Sequence, residues 1–235
     1  MICGWSAKGD HVMFVTVNAN SQKPRPLGEL HTLSDEKAFM NEFKYRRNTE
    51  VFGEGEAAEY VFQIVEGAVR SYKLLSDGRR QISAFHLPSD IFGIETTDAY
   101  RFTAEAVIDT TVRIARRRTL FEGHSGGDAP AIKNVLNLVT RNLQHAENHM
   151  LLLGRKTSLE KVAAFLLEMD HRSEAAGVMI LPMSRRDIAD YLGLALETVS
   201  RTLSLLRDRG ILSFTGQTQR QIVVQNRFRL AELDL

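Results

Sequence analysis

Cysteine is almost missing: a single residue, Cys3, stands in 235. That excludes any intrachain disulfide and any cysteine-only metal site, and it fits a reducing, cytoplasmic setting. Net charge is missing too. Thirty basic side chains face twenty-nine acidic ones, and residues 151–235 carry twelve against ten. Bulk charge therefore announces neither nucleic acid nor membrane, and any basic surface has to come from arrangement. No apolar run approaches the roughly 18 residues of a membrane span, so a soluble protein without a membrane partner is expected. The first residues, with Lys8, Asp10 and His11, read as neither signal peptide nor anchor. No phosphate loop, Ser-His-Asp set or nucleophile elbow occurs, which leaves catalysis without a candidate; the chain is expected not to be an enzyme. What is present is ordinary globular composition, 43% hydrophobic and 25% charged, in a length suited to one or two domains.

Residues 1–28, with the breaker run Lys23-Pro24-Arg25-Pro26, read as an extension. From Phe52 the glycines Gly53, Gly55, Gly67, Gly78 and Gly93 punctuate short segments rich in β-branched and aromatic residues. Tyr60–Val65 and Ala68–Tyr72 flank a turn at Glu66-Gly67 and read as one hairpin, the second strand alternating outward and inward. A second hairpin is expected across Asp77-Gly78, with a type I′ turn. Thr103–Val107 and Thr110–Ala115 continue the pattern, so 29–128 reads as a small antiparallel β-domain. The period then changes. Ile132, Leu136, Val139, Leu143, Ala146, Met150 and Leu153 alternate in steps of four and three, a narrow heptad seam on one long helix over 129–154. Such a seam asks for a partner helix, which points to a parallel homodimer; a helix lying on its own domain normally shows a broader apolar face.

Residues 155–235 carry the functional signal. Ser184 with Asp187 forms a capping box that starts a helix. Ala189 stands four before Gly193, and Val199 six after it. A helix-turn-helix needs a small residue where its helices cross, a glycine for the left-handed turn, and an apolar anchor in its second helix. All three occur together. The second helix is expected from Leu196 to Asp208, with Gly210 as its C′ residue, and a hairpin follows through Ile211–Phe214 and Gln221–Val224. The module is a winged helix-turn-helix.

With Val199, Leu203 and Leu206 turned inward, the second helix presents Glu197, Ser200 and Arg201 outward. Arg201 suits guanine O6 and N7, Glu197 suits cytosine N4, and Ser200 is a short adaptable contact. Ser184, Arg185, Arg186 and Thr198 lie near helix starts, where phosphates are held. The bland alternatives are an i, i+4 surface ion pair between Glu197 and Arg201, and a solvated face for Arg185 and Arg186. Double-stranded DNA is the expected partner.

These motifs, over roughly residues 30 to 226, resemble the CRP/FNR superfamily of bacterial transcription regulators. Leu196-Glu197-Thr198-Val199-Ser200-Arg201 is similar to the Glu-x-x-Ser-Arg pattern of its FNR and FixK branch. The resemblance implies an α+β fold: an N-terminal antiparallel β-roll of the cyclic-nucleotide-binding type, a long dimerisation helix and a C-terminal winged helix-turn-helix. It implies a dimeric activator reading a TTGAT-N4-ATCAA-like palindrome for microaerobic and nitrogen-fixation genes. Contact with RNA polymerase through the loop that holds His171, Arg172, Ser173 and Glu174 is also implied. Relatives that bind cyclic nucleotides use Gly-Glu and then Arg-Ser or Arg-Thr. Here Gly93 precedes Ile94, and Arg101 precedes Phe102. An iron-sulfur cluster needs four cysteine ligands, and one is present. No resident cofactor is therefore expected. Two other readings stay open: a CRP-type regulator answering to a cyclic nucleotide or haem, and an adaptor whose winged helix binds protein.

His145 and His149, four apart and off the seam, could share a metal but lack an evident third ligand and read as polar side chains on the helix surface. Arg116-Arg117-Arg118 reads as a solvated cluster or a contact for the connecting helix, with DNA backbone contact as the alternative.

Overall fold

The structure, a computed structural model, describes residues 41–118, 129–173, 177–216 and 220–234. The N-terminal extension with Cys3, and Glu174, lie outside the described residues, as does the side chain of Ile132. The strands are β1 (Asn41–Tyr45), β2 (Glu50–Phe52), β3 (Tyr60–Glu66), β4 (Val69–Leu74), β5 (Arg80–His86), β6 (Ile91–Phe92), β7 (Thr103–Ala106) and β8 (Thr110–Arg116). They form two four-stranded antiparallel sheets, ordered β1-β8-β3-β6 and β2-β7-β4-β5. Between the sheets Phe52, Phe62, Ile64, Val69, Phe92, Tyr100, Ala104 and Val112 make one core. The fold is the expected α+β arrangement with a β-roll first.

The segment around Gly67 differs from expectation. β3 and β4 belong to different sheets, so Glu66-Gly67 is a crossing between layers and not a hairpin turn. Gly67 takes φ +100°, and a Cβ there would lie 2.6 Å from the Thr110 Cα and 2.7 Å from the Asp109 carbonyl. Only glycine fits both the backbone and the space. The β4–β5 hairpin does form, but its turn is not type I′. Gly78 alone has positive φ, and the Leu75 amide donates to the Arg79 carbonyl, which encloses three residues. A left-handed glycine ending a three-residue loop is the next common hairpin solution.

Helix α1 (Ala129–Arg155) touches the first sheet at Leu138, which packs with Val61, Ile91 and Ala115. Then come α2 (Ser158–Arg172), β9 (Val178–Ile180), α3 (Arg185–Leu192), α4 (Leu196–Asp208), β10 (Leu212–Thr215), β11 (Gln221–Val224) and α5 (Arg227–Glu232). β9 pairs with β11, so the wing is a three-stranded sheet ordered β10-β11-β9. α2 starts on a complete capping box of Thr157 and Glu160 and carries on to Arg172, which places His171 and Arg172 on its last turn and not in a loop. The outer face of the second sheet is covered. Ala68, Ile82, Phe85 and Val107 share one core with α2, α3 and α4, centred on Phe85, Phe165 and Tyr191. Arg70, on the same covered face, is therefore buried at 7% exposure.

Candidate nucleic-acid interface

The recognition element is built from α3 outward. Ser184 caps α3: its Oγ accepts from the Asp187 amide at 3.1 Å, and its own amide donates to Asp187 Oδ2 at 3.0 Å. The Ser184 hydroxyl also donates to Asp187 Oδ2 at 2.7 Å. That proton is committed to the cap, so the hydroxyl is not free to donate to a phosphate. Burial pushes the Asp187 carboxyl up, but the Ser184 hydrogen bonds and the Arg70 and Arg80 charges outweigh it and hold it below its ordinary value. At the other end Gly193 adopts φ +61° and ψ +41°, the left-handed turn the spacing called for. Its amide donates to the Ala189 carbonyl. Ala189 is buried at the helix crossing, and Val199 is fully buried in α4.

With Val199, Thr202, Leu203 and Leu206 inward, α4 leaves Glu197 and Arg201 exposed and Ser200 half-buried between them. No hydrogen bond or ion pair among the described residues joins Glu197 to Arg201. The alternative of a mere surface pair does not describe this helix. Thr198 sits half-buried in the first turn of α4, and Arg186 is exposed beside the α3 start. The Arg185 guanidinium lies over the Phe214 ring at 5.8 Å, which ties the start of α3 to the wing.

The long helix shows two faces. Leu136, Val139, Leu143 and Met150 are 62, 50, 57 and 66% exposed, and Ala146 is exposed with them. Leu153 departs from this set: it packs into the chain's own core, beside Gly193. On the opposite face His149 stacks on Tyr191, 4.1 Å between rings at 7°, and its Nε2 bonds the Tyr191 carbonyl at 2.9 Å. His145 Nε2 lies 3.4 Å from Glu168 and 3.5 Å from the Tyr191 hydroxyl. Both rings are packed against α2 and α3. Glu168 is the neighbour that the spacing did not reveal, yet no three such ligands among the described residues are set to hold a metal.

At the end of α2, Arg172 points inward, donating to the Phe85 carbonyl at 3.1 Å and pairing with Asp90. It is not offered to a partner protein. Ser173 donates its hydroxyl to the Val178 carbonyl at 3.1 Å, while His171 is exposed. Arg117 donates to the Thr97 carbonyl at 2.6 Å. With Arg116 and Arg118 it lines an open cleft of about 800 Å³ that also includes Glu59, Glu95 and Asp98.

The β-roll does not fit a cyclic nucleotide. Its interior is filled by rings: Phe52 stacks on Tyr100 at 3.7 Å and Phe62 on Phe92 at 5.2 Å. The Tyr100 hydroxyl donates to the Tyr60 carbonyl at 2.8 Å, and burial pushes its pKa up to about 12. Glu95 and Arg101 pair with each other at 2.7 Å.

Comparison with known proteins agrees with this layout. The Crp-like helix-turn-helix domain matches residues 160–233, and the cyclic nucleotide-binding domain matches 42–122. The nitrogen fixation regulation protein FixK of Azorhizobium caulinodans is 44% identical over 195 residues, covering 81% of this chain and 77% of that protein. FixK of Rhizobium meliloti is 40% identical over 169 residues, 72% of this chain and 76% of that one. The chain belongs to the CRP/FNR family, in its FixK-like branch. The solved structure of FixK2 from Bradyrhizobium japonicum superposes on this CRP/FNR regulator with a TM-score of 0.79 and 59% identity, over 83% of this chain and 97% of that one. It is a DNA-binding transcription regulator, and among its described residues no helix is long and apolar enough to cross a membrane.

Strand alternation and helix periodicity left several residues unassigned. Arg70 and Arg80 of the β-roll bond Asp187, and Lys161 donates to the Leu192 carbonyl at 3.2 Å, at the negative end of α3. A basic residue in a strand next to apolar neighbours was the available signal. Its partners lie too far along the chain for local spacing to name.

Proposed function

We propose that this regulator is a homodimeric activator that reads a TTGAT-N4-ATCAA-like palindrome, two copies of α4 entering successive major grooves about 34 Å apart. The observation that carries the reading is the set on α4 that has no partner among the described residues. An acid, a hydroxyl and a guanidinium share one exposed face while the anchors beneath them are buried. Glu197, Ser200 and Arg201 read base edges; Arg185, Arg186 and Thr198 hold phosphates, and Ser184 contributes by capping α3. The exposed seam of Leu136, Val139, Leu143, Ala146 and Met150 supports dimerisation through α1, with Ile132 continuing it towards the N-terminus. The FixK relatives support a place in the control of nitrogen-fixation and microaerobic genes in the cytoplasm. RNA polymerase is met at the end of α2 through His171 and Ser173; Glu174, outside the described residues, belongs to the same proposed contact.

The test is direct. Fluorescence anisotropy at physiological salt should show tight binding to a TTGAT-N4-ATCAA duplex and at least about a thousandfold weaker binding to a scrambled one, the usual specific-to-nonspecific gap. Sedimentation of the complex should give two chains per duplex. Equal affinity for both duplexes would end the reading.

A further inference from the structure

Helix α3 is gripped at both ends by the β-roll. At its start the Asp187 carboxylate is divided: Oδ2 serves the capping box, while Oδ1 accepts from Arg70 Nη1 at 3.0 Å and from Arg80 Nη2 at 2.6 Å. One turn later Asp190 Oδ2 accepts from Arg80 Nε at 2.9 Å and Nη2 at 2.8 Å. Arg70 is backed by Glu105, which also accepts from the Tyr72 hydroxyl at 3.2 Å. At the far end Gln81 Nε2 donates to the Tyr191 carbonyl at 3.2 Å. Arg70 and Asp187 keep only 7% and 3% of their surface.

Such a network is a poor source of net stability, because withdrawing the charges from water offsets much of their attraction. Its property is direction. Forked guanidinium bonds to two carboxylates a turn apart are satisfied in one orientation of α3 on the β4–β5 hairpin. The apolar contact beside it, Phe85 with Phe165 and Tyr191, holds the two parts together without fixing their angle. α4 is placed by α3, and α1 is placed on the same β-roll through Leu138. The angle between recognition helix and seam therefore depends on these arginines, alongside the His149 contact of α1 with Tyr191 and the Arg172 bonds of α2 to the β-roll.

We infer that Arg70 and Arg80 are positioning residues for DNA recognition. With those contacts they set the angle of the winged helix to the dimer seam, and so the half-site spacing that a dimer accepts. This rests on the dimeric palindrome reading above. Arg80, the more accessible of the two, is the one to change.

The experiment compares the full-length chain with Arg80→Gln, and with the milder Asp190→Asn, on palindromes whose half-sites stand three, four, five and six base pairs apart and on an isolated half-site. The unaltered chain should favour one spacing. Arg80→Gln should lose about tenfold there, the scale of one charge-assisted hydrogen bond. It should lose little at the other spacings or on the half-site, so the profile flattens. An equal loss on every duplex, or an unchanged profile, overturns the inference.

A readout without DNA accompanies it. Spin labels at Glu66→Cys and Asp208→Cys, in a Cys3→Ser chain, should give a narrow distance distribution that broadens with Arg80→Gln. Equal widths also overturn the inference. If the unaltered chain binds no palindrome, the functional reading fails, and the label distances still decide whether the arginines hold the orientation.

Discussion

Arg201 is exposed and has no hydrogen-bond or ion-pair partner among the described residues, so removing its side chain costs the fold nothing that the structure shows. Its loss should be read in DNA alone. Arg201→Ala should weaken operator binding by about 1 to 3 kcal/mol and relax the preference at one base pair. Competition with operators altered one position at a time checks this; a uniform loss on all of them would reassign Arg201 to a phosphate. Gly67 is the opposite kind of residue, remote from DNA and needed for folding. A methyl group there meets backbone at 2.6 Å in a conformation that L side chains rarely adopt. Gly67→Ala should destabilise by about 3 kcal/mol or more, from strain and overlap together. Urea unfolding gives the value, and a change under about 1 kcal/mol, the range of a tolerated Gly→Ala change, would show that the crossing can relax.

Among the elements, α1 has the most to gain from a second chain. Its Leu143 is more than half exposed, so Leu143→Glu leaves the chain's own core alone and places a charge in the seam. The variant should keep its helix content and sediment as a monomer. Palindrome binding should fall towards the half-site level. A variant that still sediments as a dimer would put the interface elsewhere. The winged helix was legible from sequence because its signals are local: Ala189, Gly193 and Val199 lie within eleven residues of chain. The Glu66-Gly67 crossing was not, since positive φ serves a hairpin turn and a change of sheet alike. Arg70 was left unassigned for a similar reason, as the group that covers it, Asp187, lies 117 positions away. The His145–His149 pair read as surface because Glu168 and Tyr191 reach it only through the packing of α2 and α3. Leu153 kept the heptad spacing but turns inward at the end of α1, where the chain bends into α2.

At the scale of the whole molecule, the junction of β-roll, α1 and winged helix is lined with histidines that the fold keeps neutral. His86 bonds Ser71 at 2.8 Å and stacks on Phe92, and burial, with the Arg172 and His145 charges, lowers its pKa to about 3. His149 is likewise lowered, by burial first and then by the His145 and Lys161 charges, against the opposing hydrogen bond to Tyr191 and the Glu168 charge. Both folded values lie below the unfolded value near 6.5, so the unfolded chain takes up protons first as pH falls. The contribution is complete at neutral pH and declines from about 6.5 downward. Glu168, lowered by His145 and Arg172 in spite of burial, acts only below its ordinary value of 4.5 and leaves this window alone. A fully shielded histidine would cost about 1.4 kcal/mol per pH unit. The His86 ring keeps some solvent contact, so a loss of roughly 1 kcal/mol between pH 7 and 5 is expected from it. Urea midpoints at pH 7, 6 and 5 should fall, and in His86→Gln they should fall less steeply. Parallel slopes in the two proteins would show that the proton goes elsewhere and that this junction is not what acid loosens.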